Sequence, residues 1–168
     1  MRAEHEQAYL EYVEGRIPVW RRTAYLLCQD WHGADDLVQV AAIRLYVHWR
    51  LACRADNLDA YAQTILVRVF LQERRSAWSR RVVPVGQFPE RADVTCDHSV
   101  RLQVRSLLAQ LAPRQRAAVV LRFYCDLSIE QTADLLGCSP GTVKSQTKRG
   151  LDTLRRALVV NERVDNNG

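Results

Sequence analysis

The four residues Gly137-Cys138-Ser139-Pro140 constrain the fold of this chain more than any other stretch. A glycine after an apolar-periodic segment ends a helix cheaply, because it enters the left-handed conformation without steric cost. A serine followed by a proline starts the next helix. The hydroxyl caps free N–H groups, and the missing N–H of proline is not needed in a first turn. Upstream, Ser128 with Gln131 three residues later fits a capping box. Residues 128–137 therefore read as a short helix with Ile129, Ala133 and Leu136 inward, and Ala133 is small enough for a second helix to pack closely. A short helix, a glycine turn and a serine-capped second helix make a helix-turn-helix.

The second helix sorts into faces. Val143, Thr147, Gly150, Leu151, Leu154 and Leu158 form an inward stripe, with Thr142, Ser145, Lys148, Arg149 and Arg156 on the far side and Lys144 at the flank. From Lys144 to Arg156 five cations oppose only Asp152. Hydroxyls and cations near a helix N-terminus suit a DNA major groove, where Arg and Lys reach guanine acceptors or phosphates and Ser or Thr reach bases or backbone. The plainer alternative is a helical hairpin with a charged outer face. The formal net charge of +5 favours a polyanionic partner. Its distribution says more: Glu4, Glu6, Glu11 and Glu14 crowd the N-terminus, while cations gather at Arg74, Arg75, Arg80, Arg81 and beyond Lys144.

Elsewhere helical periodicity dominates and strand-like alternation is nearly missing, so the expected class is all-α. An amphipathic pattern over 4–27 runs through Tyr9, Tyr12, Val13, Ile17, Trp20 and Tyr25, with a kink or break expected at Pro18. Residues 30–34 read as a turn, and Asp35 and Asp36 open a helix over 34–49. On that helix Leu37, Val38, Ala41, Ala42, Leu45, Tyr46 and Trp49 recur on one side, and Gln39, Val40, Ile43 and Val47 stand opposite. An element apolar on both sides is either central in a bundle or docked on a partner. After a polar loop over 50–57, Asn57 or Asp59 caps a helix to about residue 78, with Tyr61, Ala62, Ile65, Leu66, Val69 and Phe70 inward. Its end, 73–81, interleaves arginines with Trp78, which suits a nucleic-acid backbone and an exposed base, or simply a solvated helix end. Residues 82–99, with Pro84, Gly86 and Pro89, lose both periodicities and read as a flexible linker. Helices follow over 100–111 and from Pro113 to about 125. The expected organisation is a helical domain over 1–81, the linker 82–99, a second helical domain over 100–160, and a disordered tail over 161–168.

Five cysteines show no paired spacing, and Cys96 with His98 is too little for a zinc site, so free thiols are expected, with no metal and no cofactor. The acidic N-terminus does not resemble a signal peptide, and no apolar run nears the ~20 residues that span a bilayer, which points to a cytoplasmic protein without membrane insertion. A nuclease or recombinase would need a nucleophile or clustered carboxylates. The one adjacent acidic pair, Asp35-Asp36, is explained by its helix start, so no catalytic residue and no small-molecule substrate are expected. A conventional operator-binding regulator would carry a dimerisation or ligand-sensing segment upstream, and none is evident.

Two stretches, Asp35-Asp-Leu-Val-Gln-Val-Ala41 and Cys138-Ser-Pro-Gly-Thr-Val-Lys-Ser145, resemble regions two and four of the extracytoplasmic-function sigma factors of bacterial RNA polymerase, in their short actinobacterial form. The resemblance covers nearly the whole chain. It implies two helical domains that bind core polymerase together, through the clamp of the largest subunit and the flap of the second largest, and recognise promoter DNA. By position, Asp36, Gln39, Val40, Ile43 and Arg44 would meet the clamp. The loop over 52–58, with Asn57, would capture a flipped base of the −10 element, and Tyr61, Arg68, Gln72 and Arg75 would lie beside the melted strand. Thr142, Lys144, Ser145, Gln146, Lys148 and Arg149 would read the −35 element. An anti-sigma factor is a further partner that the resemblance leaves open. Val40 stands where such proteins usually carry glutamate, and Arg68 where asparagine is common.

Overall fold

Ala3–Cys28 forms one long helix, α1, that runs through Pro18 without a break. Of the expected kink or break, the break does not occur. Proline removes one N–H donor, and here it sits on the exposed side, where water can satisfy the freed carbonyl. The opposite side buries Tyr9, Val13, Trp20, Thr23, Ala24 and Leu27, and this packing keeps the helix continuous across the proline. Ile17 and Tyr25, both expected inside, are only partly covered.

The computed structural model describes the backbone of residues 3–80 and 98–165, and side chains over 3–75 and 103–164. The described residues fall into two units, and no strand occurs among them. The predicted linker lies outside the described residues except at its last two positions, which already belong to a helix.

In the first unit, α1 is followed by α2 (Trp31–Val47), the single turn α3 (Trp49–Ala52) and α4 (Leu58–Arg80). The sequence reading placed the start of α2 three residues late. Asp30 is its cap, in extended backbone, and its carboxylate accepts from Gly33 N–H at 2.8 Å. Asp35 therefore lies in the second turn, where it pairs with Arg21 of α1 at 2.6 Å. The core is formed where α1, α2 and α4 meet, around Leu27, Leu37, Leu45, Leu66 and Val67. Tyr9 and Trp49 pack edge to face, with ring centroids 5.4 Å apart.

The second unit contains α5 (His98–Ala109), α6 (Pro113–Val119) continued by a π-helical turn (Val120–Tyr124), α7 (Ile129–Leu136) and α8 (Pro140–Asp165). Its core comprises Leu107, Leu108, Leu111, Ala117, Ala118, Leu121, Ala133 and Val143. Arg116, only 6% exposed, sends its guanidinium to the carbonyls of Leu108 and Leu111 at 2.9 and 3.2 Å. It thereby adds donors to carbonyls at and just past the end of α5, where Leu108 also accepts from Leu111 N–H at 3.1 Å. The expected disordered tail is corrected in part, since α8 continues through Asp165. Nothing in Asn161-Glu-Arg-Val opposes helix, but the continuation lies beyond the core. The predicted inward stripe accordingly fades: Val143 is fully buried, Leu151 and Leu154 are half-buried, and Leu158 is 40% exposed.

Candidate nucleic-acid interface

The helix-turn-helix is held by local bonds that its sequence prescribes. Ser128 Oγ accepts from Gln131 N–H at 3.0 Å, and Ser128 N–H donates to Gln131 Oε1 at 2.9 Å, which closes the capping box. Gly137 takes φ 64° and ψ 39°, the left-handed region that favours glycine. Ser139 Oγ then accepts from Thr142 N–H at 3.1 Å and caps α8. Below this turn, Arg122 donates to the Leu127 carbonyl and ties the π-helical turn to the start of α7. Gly150 is buried where α8 crosses α6; a Cβ there would lie 2.9 Å from Val119 Cγ2, so any side chain at this position would force Val119 to shift.

With Val143 and Gly150 facing inward, Lys144, Ser145, Lys148 and Arg149 are exposed on the first turns of α8, and Thr142 and Gln146 are half-buried beside them. Two hydroxyls expected to face DNA are already engaged. Thr142 Oγ1 shares a hydrogen bond with Ser139 Oγ at 2.9 Å, and Ser145 Oγ donates to the Thr142 carbonyl at 3.0 Å. Lys144, Lys148, Arg149 and Gln146 keep the free reach.

The first unit presents two further faces. On α2, Asp36, Gln39 and Ile43 are exposed and Val40 and Arg44 half-buried, all along one side. Of the two readings of this doubly apolar helix, burial within a bundle does not hold. Ile43 is 64% exposed, Val47 71% and Leu51 of α3 59%, so the unit leaves the face open. Leu51 falls in the polar loop expected over 50–57 and was not anticipated, because it belongs to the helical turn α3 that follows α2 directly after His48. Tyr46, expected inside, is also 39% exposed. Glu73 of α4 borders the same face: burial and then the Asp36 carboxylate push its pKa up, against the opposing pull of Arg44.

The second face follows α4. Tyr61, Arg68, Gln72 and Arg75 fall seven, four and three residues apart and share one side, with Tyr61 half-buried and the others exposed. Asn57 precedes them, but its Oδ1 accepts from Ala60 N–H at 3.0 Å, so its carbonyl serves the α4 cap. Arg74 lies over the Phe70 ring at 5.6 Å. The outer basic cluster over 76–81 lies beyond the described side chains. Among the described residues no helix is long and apolar enough to cross a membrane.

Comparison with known proteins places the chain in a family. Residues 13–80 match the model of Sigma-70 region 2, and residues 101–154 that of Sigma-70, region 4. The chain is 40% identical over 157 residues to the RNA polymerase sigma-E factor of Streptomyces coelicolor, an alignment covering 90% of this chain and 86% of the relative. It is 31% identical over 156 residues to the ECF RNA polymerase sigma factor SigL of Mycobacterium tuberculosis, covering 88% and 86%. Among solved structures it is similar to the sigma factor RpoE of Bartonella quintana, determined with the anti-sigma factor NepR. The TM-score is 0.73 at 25% identity, over 92% of this chain and 98% of that one. CnrH, determined with the cytosolic domain of CnrY, shares the fold at a TM-score of 0.63 and 18% identity. With both regions matched in order and relatives aligned across most of its length, the chain belongs to the extracytoplasmic-function sigma factors, which direct promoter-specific initiation by RNA polymerase.

Proposed function

We propose that this chain divides promoter recognition among its three exposed faces. The N-terminal turns of α8 enter the major groove of the −35 element, where Lys144, Gln146, Lys148 and Arg149 contact bases and phosphates, with Thr142 and Ser145 at the margin. The segment between α3 and α4 traps an unstacked base of the −10 element, and Tyr61, Arg68, Gln72 and Arg75 track the separated strand. The open face of α2, with Asp36, Gln39, Val40, Ile43 and Arg44, docks on the clamp of the largest polymerase subunit, while the second unit meets the flap of the second largest. Every step is binding, and none needs a catalytic group. The work is done in the cytoplasm.

The observation that carries this reading is the exposure of Lys144, Lys148 and Arg149 on α8, opposite the buried Val143 and Gly150. Phosphate attraction from these cations is sensitive to salt. Polymerase contributes the remaining binding energy that offsets unpairing, a cost of a few kcal/mol. The Val40 side chain makes the clamp-facing surface less polar than a glutamate would, which fits its apolar neighbours Ile43 and Val47. An anti-sigma factor, as found with RpoE, is the source of control we favour for this chain.

The test is run-off transcription with core polymerase on a genomic promoter library, comparing wild type with the double variant Lys144→Ala/Arg149→Ala. Loss of −35-dependent initiation is expected, with assembly on core polymerase retained. Unchanged start sites and yields in the variant would refute the assignment of α8.

A further inference from the structure

The segment between α3 and α4 has two ends. At one, Trp49 and Ala52 are buried, and the N–H groups of Cys53 and Ala55 donate to the carbonyls of Trp49 and Ala52 at 2.9 and 3.1 Å. At the other, Asn57 caps α4 and Asp59 stands in its first turn. Between the two, Cys53, Arg54 and Asp56 are exposed.

One residue of α1 reaches both ends. The Tyr12 ring packs on Trp49 with centroids 5.6 Å apart, and its hydroxyl donates to Asp59 Oδ1 at 2.8 Å. One turn further along α1, Arg16 forms an ion pair with Asp59 Oδ2 and lies 5.8 Å from the centre of the Tyr12 ring. Burial, and next the Asp59 carboxylate, push the Tyr12 hydroxyl well above its ordinary pKa, so it remains a donor. The Arg16 and Asp59 side chains are 41% and 51% exposed. An ion pair so open to water contributes little to stability. What it does is hold Asp59, at one end of the segment, beside Tyr12, whose ring packs on Trp49 at the other.

We infer that Tyr12 and Arg16 are positioning residues for base capture: they brace the two ends of the segment 53–57 so that it is shaped for an unstacked base before DNA arrives. A segment ordered only on contact would lose conformational entropy at that moment, and a braced one does not. The inference rests on the proposed role of this segment, and its test separates the two.

The experiment uses holoenzyme assembled from core polymerase and the full chain. The probes are a single-stranded oligonucleotide carrying the non-template −10 region of a promoter found by the run-off screen, and a series in which each base in turn is abasic. Wild type binds the intact strand more tightly than the strand abasic at the captured position. Tyr12→Phe keeps the ring and loses the bond to Asp59. It is expected to weaken binding of the intact strand about threefold to tenfold, leave the abasic strand unchanged, and so shrink the abasic penalty by the same factor. Arg16→Ala should act likewise, with partial rescue by Arg16→Lys. A penalty of full size in Tyr12→Phe, or equal loss on both strands, would overturn the brace. No abasic penalty at any position in wild type would instead overturn base capture by this segment, and the brace with it.

Discussion

Replacing Gly150 by alanine tests the close crossing of α8 over α6. In a helix interior alanine is favoured over glycine by about 1 kcal/mol. Against this, the new Cβ would stand 2.9 Å from Val119 Cγ2, well inside the ~3.5–4.0 Å of an ordinary carbon contact. Val119 is buried and β-branched, so it has no free rotamer into which to retreat. Overpacking of this kind costs about 1–3 kcal/mol. The net expectation is a loss of about 0–2 kcal/mol, with the propensity gain already subtracted. Gly15 of α1 supplies the control, because a Cβ there meets nothing within 4 Å. Gly15→Ala should therefore stabilise its unit by about 0.5–1 kcal/mol. The assay is amide hydrogen exchange of the full chain read by mass spectrometry, since peptides from α6 and α8 report their own opening free energy. Faster exchange there in Gly150→Ala, and slower exchange in α1 for Gly15→Ala, are the expected results. Adding Val119→Ala should cost less in the alanine background than in wild type, by about 1 kcal/mol of coupling. If Gly150→Ala slows exchange in α6 and α8, the close crossing is not what the glycine is for.

Two further outcomes follow from buried polar groups. Arg116→Met should destabilise the second unit by about 2–3 kcal/mol, because it strips donors from the Leu108 and Leu111 carbonyls. Arg116→Lys should not restore them, since an ammonium cannot fork to both, and exchange across α5 reads the result. Burial pushes the Cys28 thiol from 9.0 to about 11, against lowering by the Asp30 backbone. The folded state then keeps a proton that the unfolded chain releases, so this group's stabilising effect is whole below about pH 9 and fades as pH rises toward 11. A urea titration across that range should fall in wild type more than in Cys28→Ala, and iodoacetamide at neutral pH should label the exposed Cys53 before Cys28.

Much of the helix-turn-helix was legible because its determinants are close neighbours. Ser128 with Gln131, Gly137, and Ser139 with Pro140 act on backbone groups within a turn of themselves, and each behaves as its residue type requires. Propensity without context misled in two places. Pro18 does not break α1, because packing on its far side outweighs one lost bond, and α2 starts at Trp31 because Asp30, not the Asp35-Asp36 pair, caps it. The outward positions on α2 were visible as a pattern, yet periodicity is the same for a buried second face and an open one. Only the position of α4 shows that Ile43 and Val47 remain uncovered.

By itself the sequence determined that the chain is helical, where α8 begins, and which side of that helix carries the cations, for these depend on spacing and capping along a few consecutive residues. The tertiary structure alone decided that Arg116 is buried on the end of α5, that Ile43 and Val47 stay uncovered, and that Tyr12 meets Asp59 from 47 residues away. Such contacts depend on how helices pack in three dimensions, and no local pattern encodes which distant side chain will stand opposite.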